Sequence, residues 1–242
     1  MEITKELAEK VLHVVDHGLI AGLGQPIPGR MCVEAAVCYA MGLSHSDRPT
    51  CVDERLRHLK IQLNDLRIWS NNMARAKGLR RLAIAQLGTK DCLDIPSFMD
   101  LILEHVVKNI VPHAVSDELF IKMGFSKALC VYFDLKDTEP FTQGVAAIAD
   151  RSSYTYLSES AIVSAIKSLA ATLTIPHPLV KIEYLVDAIK TLINYDQTIN
   201  VDGSLSDVVY AREKSLSEFC EAVVQILIKL ETPGSKFLYL TE

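Results

Sequence analysis

Cys32 closes a loop containing Gly22, Gly24, Pro26, Pro28 and Gly29, and Glu34 follows two residues into the almost wholly apolar run VEAAVCYAMG. A thiol in the first turn of a helix feels the positive end of the macrodipole. With Arg30 close by, such a thiol is expected to shift toward thiolate, the form that attacks carbonyl carbon. Gln25 in the preceding loop is suited to stabilising an oxyanion, as in cysteine hydrolases. Catalysis of that type also needs a histidine in space beside the thiol, for which His45, His58, His105 and His113 are available, and a group to orient it. The competing reading is a buried cysteine that tightens the junction between loop and helix, the commonest fate of a free thiol.

A second constellation is electrostatic. Between Arg48 and Arg81 there are nine basic residues (Arg48, Arg55, Arg57, Lys60, Arg67, Arg75, Lys77, Arg80, Arg81) against three acids (Asp53, Glu54, Asp65), a local charge of +6 in a chain whose net charge is −5. A local excess of this kind attracts anions whatever the sign of the whole. Trp69, the only tryptophan, lies between the two basic helices, where it is placed to stack on a base or cap a pocket. Arg57, Trp69, Arg80 and Arg81 therefore join Gln25, Arg30 and Glu34 as expected ligand-binding residues. The partner is an anionic ligand, a nucleotide or an acidic protein surface. The opposing reading of charged helix faces is that they are merely solvated.

Other patterns carry less. His13 and His17 share a helix face at i, i+4, as do Glu54 and His58, but the first pair lacks the glutamate of a zinc-protease motif, and no metal is expected. Glu34, inside an apolar helix, must be paired or protonated, and the abundance of arginine points to an arginine partner. No P-loop, GxGxxG, nucleophile elbow or kinase signature is present, so no cofactor is implied.

The elements that must position these residues read as helices. Ile3, Leu7, Val11, Val14 and Val15 form one stripe ending at Gly18; the second helix is expected from Gly29 or Arg30 to Gly42, buried nearly all round. Thr50 with Asp53 reads as a capping box for a helix carrying Val52, Leu56, Leu59 and Leu63, closed by Asn64 and Asp65. Ser70, Asn71 or Asn72 caps a fourth that runs to Gly88. A fifth, with Ser97 and Asp100 at its start, bears Phe98, Leu101, Ile102, His105 and Val106 and stops at Pro112. Residues 117–135 are read as helix because no second strand is near to pair with them. Helices over 158–173, 179–193 and, from a Ser215/Glu218 capping box, 215–230 complete the chain, with 136–157 and 194–214 as polar connections.

The expected fold is all-α: a multi-helix globular bundle with no substantial sheet, divided into an N-terminal helical unit of residues 1–90 and a C-terminal unit of 91–242 packed against it. With 242 residues, 49% hydrophobic and 23% charged, the chain has ample surface for a core. No secretory signal or membrane-spanning run is apparent, so a cytoplasmic location without membrane association is expected, and the six cysteines, which include no CxxC pair, are read as reduced thiols.

The order of these features from Ile3 to Gly88 is an apolar helix ending in His17-Gly18, a glycine-rich loop, Cys32 opening CVEAAVCYAMG, a basic helix ending in Leu63-Asn64-Asp65, and the arginine-rich ARAKGLRRLAIAQLG. It resembles a family of bacterial proteins of unknown function sharing a helix, a Cys-x-x-(Gly/Ala)-Ala helix and an Asn-Asp dipeptide. The closing SLSEFCEAVVQILIKLETPGSKFL resembles the C-terminal end of longer members. The resemblance implies an all-helical intracellular protein; Glu34-Ala35 stands where Gly-Ala or Leu-Gly is common there, so it assigns no role to Glu34. The leading expectation is a non-enzymatic binding protein that receives an anionic partner on loop 22–31 and helices 52–88. The alternatives are a cysteine-dependent hydrolase or transferase using Cys32, and a structural scaffold that oligomerises through an apolar stripe.

Overall fold

The computed structural model describes residues 2–114, 157–196 and 204–242. Among them the chain is all-α, with no strand beyond an isolated antiparallel bridge between Gly24 and Met31. The reading of 117–135 and of the connection 136–156 lies outside the described residues. No described helix is long and apolar enough to cross a membrane, and the cysteines of the described residues are free thiols.

The first four helices each begin where a side chain accepts an orphan N–H group of the first turn. Thr4 accepts from Leu7 N–H at the start of α1 (Lys5–Val15). Cys32 itself caps α2 (Val33–Ala40), which therefore starts later than the Gly29 or Arg30 expected. Asp53 caps α3 (Glu54–Asp65) without help from Thr50. Asn71, one of three candidates, caps α4 (Asn72–Ala85) by accepting from Met73 and Ala74 N–H, both at 2.9 Å.

Two other boundaries differ from the sequence reading. Pro112 does not end the fifth helix. After α5 (Ile95–His105) the chain widens through a π-helical turn, Val106–Ile110, in which Val111 N–H reaches Val106 O, and Pro112 then sits in an α turn, Val111–Ala114. A proline near the start of a turn forfeits no hydrogen bond that the turn needs. The last helix, α8 (Leu205–Lys229), begins ten residues before the expected Ser215. Its capping box is Ser204 with Asp207, and Ser215 lies mid-helix with its hydroxyl donating to Ala211 O at 3.2 Å. Between them, α6 (Leu157–Thr174) and α7 (Pro178–Asn194) match the periodicity.

The chain divides into two compact units, one made of Met1–Ile102 with Gly203–Glu242, the other of Leu103–Asp202. The expected division at residue 90 is thus replaced by a discontinuous first unit, because α8 finds its partner surface on α4. Leu216, Phe219, Val223 and Leu227 of α8 are buried, as are Leu79, Leu82 and Ala83 of α4. Each of the leucine, valine and phenylalanine side chains contributes about 1.5–3 kcal/mol of transfer free energy. The closing 3-10 segment Ser235–Thr241 lies against α4 as well, and Thr232 Oγ1 donates to Ala85 O at 2.9 Å. Helix α2, buried from Val33 to Cys38, lies against α1 and α3. In the second unit α6 and α7 pair along their apolar faces, Ile162, Ile166 and Leu169 on one and Ile182, Leu185 and Ile189 on the other.

Candidate functional site

The segment from Leu19 to Cys32 is a tightly ordered loop. Ile20 N–H donates to Met31 O at 3.1 Å, Gln25 N–H to Arg30 O at 2.7 Å and Arg30 N–H to Ile27 O at 2.9 Å. Gly24 is required within it: φ is +72°, and a Cβ there would come within 2.1 Å of Arg30 O. Left-handed backbone this crowded is open only to glycine.

The loop is clamped at its base by the end of α3. Asn64 Nδ2 donates to Ile20 O at 2.8 Å, Asn64 Oδ1 accepts from Val33 N–H at 3.2 Å, and Asp65 Oδ1 accepts from Gly22 N–H at 2.8 Å. Buried Arg75 ties these parts together, donating to Asn64 O at 2.8 Å and Leu19 O at 3.0 Å. His45 Nε2 holds Gly24 O at 3.0 Å. The Asn-Asp dipeptide thus organises the loop, a role that its place at a helix end did not reveal.

What the clamp presents is partly apolar. Leu23 is 42% exposed and Ile27 48%, with Gln25, Pro26 and Arg30 also exposed. Arg30 has no ion pair among the described residues. The sequence reading selected Gln25 and Arg30 here but missed Leu23 and Ile27; the available signal was a pair of large aliphatic residues in a glycine-proline stretch with no helical stripe to bury them.

The other expected ligand residues point elsewhere. Trp69 is only 6% exposed; its Nε1–H donates to Leu63 O at 2.9 Å, and its ring lies so close to Gly78 that a Cβ there would be 2.3 Å away. It packs α4 and is closed to an external base. Arg80 pairs with Asp16 at 2.7 Å and donates to Thr241 O at 2.8 Å; Arg81 pairs with Glu221 at 2.9 Å and donates to Thr241 Oγ1 at 2.9 Å. Arg57 meets Asp47 at 3.5 Å and Glu54 at 3.8 Å, and Arg55 clasps Asp53 with two nitrogens. Of the nine basic residues between Arg48 and Arg81, Arg67 and Lys77 alone have neither an acidic partner nor a hydrogen bond among the described residues. The continuous positive face expected along α3 and α4 is largely neutralised within the first unit.

No family model matches the chain, and no curated protein or solved structure matches it. The chemistry of its residues therefore rests on their own geometry.

Glu34 is paired with Lys60, not with an arginine. Both are fully buried, with Oε1 and Nζ 3.2 Å apart, and Gln86 Nε2 donates to Glu34 Oε2 at 3.4 Å. Burial raises the Glu34 carboxyl above its ordinary value, opposed by the charge of Lys60, and lowers the Lys60 ammonium, opposed by Glu34. Each is driven toward its neutral form. Cys32 is buried too, its sulfur accepting from Ala35 N–H at 3.4 Å. Burial pushes its thiol up to about 11; the Ala35 N–H opposes that rise and the Glu34 carboxylate adds to it. The thiolate expected from the macrodipole is thus outweighed by desolvation, and no histidine hydrogen-bonds Cys32 among the described residues. His13 and His17 stack edge to face with ring centres 4.8 Å apart, and no cluster of three or more metal-binding side chains occurs among the described residues.

Proposed function

We propose that this chain is a cytoplasmic binding protein that docks an acidic protein surface through loop 20–31. The observation that carries the reading is a loop already ordered by its own hydrogen bonds, offering Leu23 and Ile27 beside an unpaired Arg30. A loop fixed before binding loses little conformational entropy on association. Aliphatic anchors supply contact area, and an arginine at their rim steers and orients a negatively charged partner. Gln25 adds a hydrogen-bonding group on the same exposed stretch. This reading keeps the anionic partner and moves its contact surface from the helices to the loop, since Arg57, Arg80 and Arg81 already have acidic partners. A nucleotide is a poorer fit, because Trp69 faces inward.

The test is a photo-crosslinking amino acid placed at Ile27 in cells expressing the full chain, with the same probe at exposed Leu205 as the control. A discrete protein adduct is expected at position 27 and not at 205, disappearing in the Arg30→Glu variant and weakening as salt is raised in the purified complex. An adduct that survives both charge reversal and high salt, or none at position 27, overturns the proposal.

A further inference from the structure

Away from that loop, the start of α3 opens onto a groove of about 420 Å³ walled by Arg48, Arg55, Arg57 and Lys90, with Asp53, Glu54 and Asp91 also on its surface. Two turns build it. Asp53 N–H donates to Thr89 Oγ1 at 3.0 Å and Lys90 N–H to Cys51 O at 3.1 Å, so segments 48–53 and 88–91 are fastened together. Asp91 makes the return in left-handed backbone, φ +64°.

The charges of the groove are unequally committed. Asp53 is held by Arg55, whose Nε and Nη2 both face it, leaving the Nη1 donors unengaged. Arg57 is nearly covered, its side chain 13% exposed, and its contacts to Asp47 and Glu54 are long. Arg48, by contrast, is 80% exposed and only at 4.0 Å from Asp47, and exposed Lys90 has no ion pair among the described residues. Two cations with little or no internal compensation therefore flank two guanidinium groups fixed by carboxylates, set against one exposed carboxylate, Asp91, that has no ion pair among the described residues. The Nη1 donors of Arg55, on a guanidinium already held in place by Asp53, remain available to the oxygens of a phosphoryl group. The groove has room for a phosphoryl group with a small substituent.

We propose that this groove binds a phosphate monoester. The site shares no residue with loop 20–31, so the two proposals stand or fall separately.

The experiment titrates the full chain, labelled with nitrogen-15, with inorganic phosphate and with ribose 5-phosphate at constant ionic strength, using sodium chloride as the control. Saturable amide shifts confined to residues 48–57 and 88–91 are expected. Equal affinity for the two probes assigns recognition to the phosphoryl group alone, and tighter binding of the sugar phosphate shows that the substituent is held as well. The Arg48→Ala/Lys90→Ala double variant, whose two sites are exposed, should keep its helical circular dichroism and lose affinity about tenfold, while Lys77→Ala leaves it unchanged. No saturable shift below about 10 mM probe, shifts equal to those caused by chloride, or affinity unaffected by the double substitution overturns the assignment.

Discussion

Lys60 and Glu34 illustrate how a single buried pair constrains a core. Their 3.2 Å contact is fully buried, with Gln86 alongside. Removing one partner leaves the other charged group to be neutralised or hydrated inside the protein, which costs far more than the pair contributes. Lys60→Met is therefore expected to lower stability by about 3–5 kcal/mol in urea denaturation, and adding Glu34→Leu should recover most of the loss. A double variant as unstable as the single one contradicts this account. The sequence signalled half of the pair. Glu34 in an apolar helix required a partner, but the abundance of arginine pointed to the wrong residue. The better signal was spacing: Lys60 falls four residues after Leu56 and three before Leu63, on the stripe that α3 buries. Asn64 and Arg75 are buried for the same reason, as polar side chains that complete backbone hydrogen bonds no apolar residue could make. Cys32 shows the converse. Its place at a helix start was legible, yet its exposure was not, and exposure decides whether a thiol ionises.

At the scale of elements, loop 20–31 behaves as a preformed part instead of a flexible connection. Of its three left-handed glycines, Gly22 and Gly24 separate conformational strain from steric crowding. Both have φ near +70°, but Gly22 has open space where a Cβ would go and Gly24 has the Arg30 carbonyl. Gly22→Ala is expected to cost about 1–2 kcal/mol in thermal denaturation from left-handed backbone alone, and Gly24→Ala more, because the loop must also spread. Equal losses would mean that the loop accommodates the methyl group and is less rigid than its hydrogen bonds indicate. Helix existence was readable from periodicity almost everywhere that the structure describes, since apolar stripes at 3.6-residue spacing are what the core selects. Boundaries were less so. Asn71 was found among three adjacent caps, whereas the Ser204/Asp207 box went unnoticed inside a polar stretch, because α8 opens with residues such as exposed Leu205 and Tyr210 that give no buried stripe.

At the scale of the whole molecule, the first unit is assembled from both ends of the chain. Residues 1–102 contain α4, but the surface that covers it, α8 and the 3-10 segment, arrives from 203–242. That arrangement was not legible, because nothing in an amphipathic helix states which other helix it will meet. A fragment of residues 1–102 is expected to lack a cooperative thermal transition, and a 203–242 peptide added in trans should restore one, measured by circular dichroism. Cooperative melting of the shorter fragment alone would show that α4 needs no cover. The same discontinuity sets a timetable for biosynthesis. Once Ile102 has been added, the 100 residues Leu103–Asp202 must be made before the second part of this unit begins, a wait of roughly 5–20 s at translation speeds of about 5–20 residues per second. Throughout it the α4 face has been made but its cover has not, so apolar surface that the finished unit buries stays open to solvent or to a chaperone.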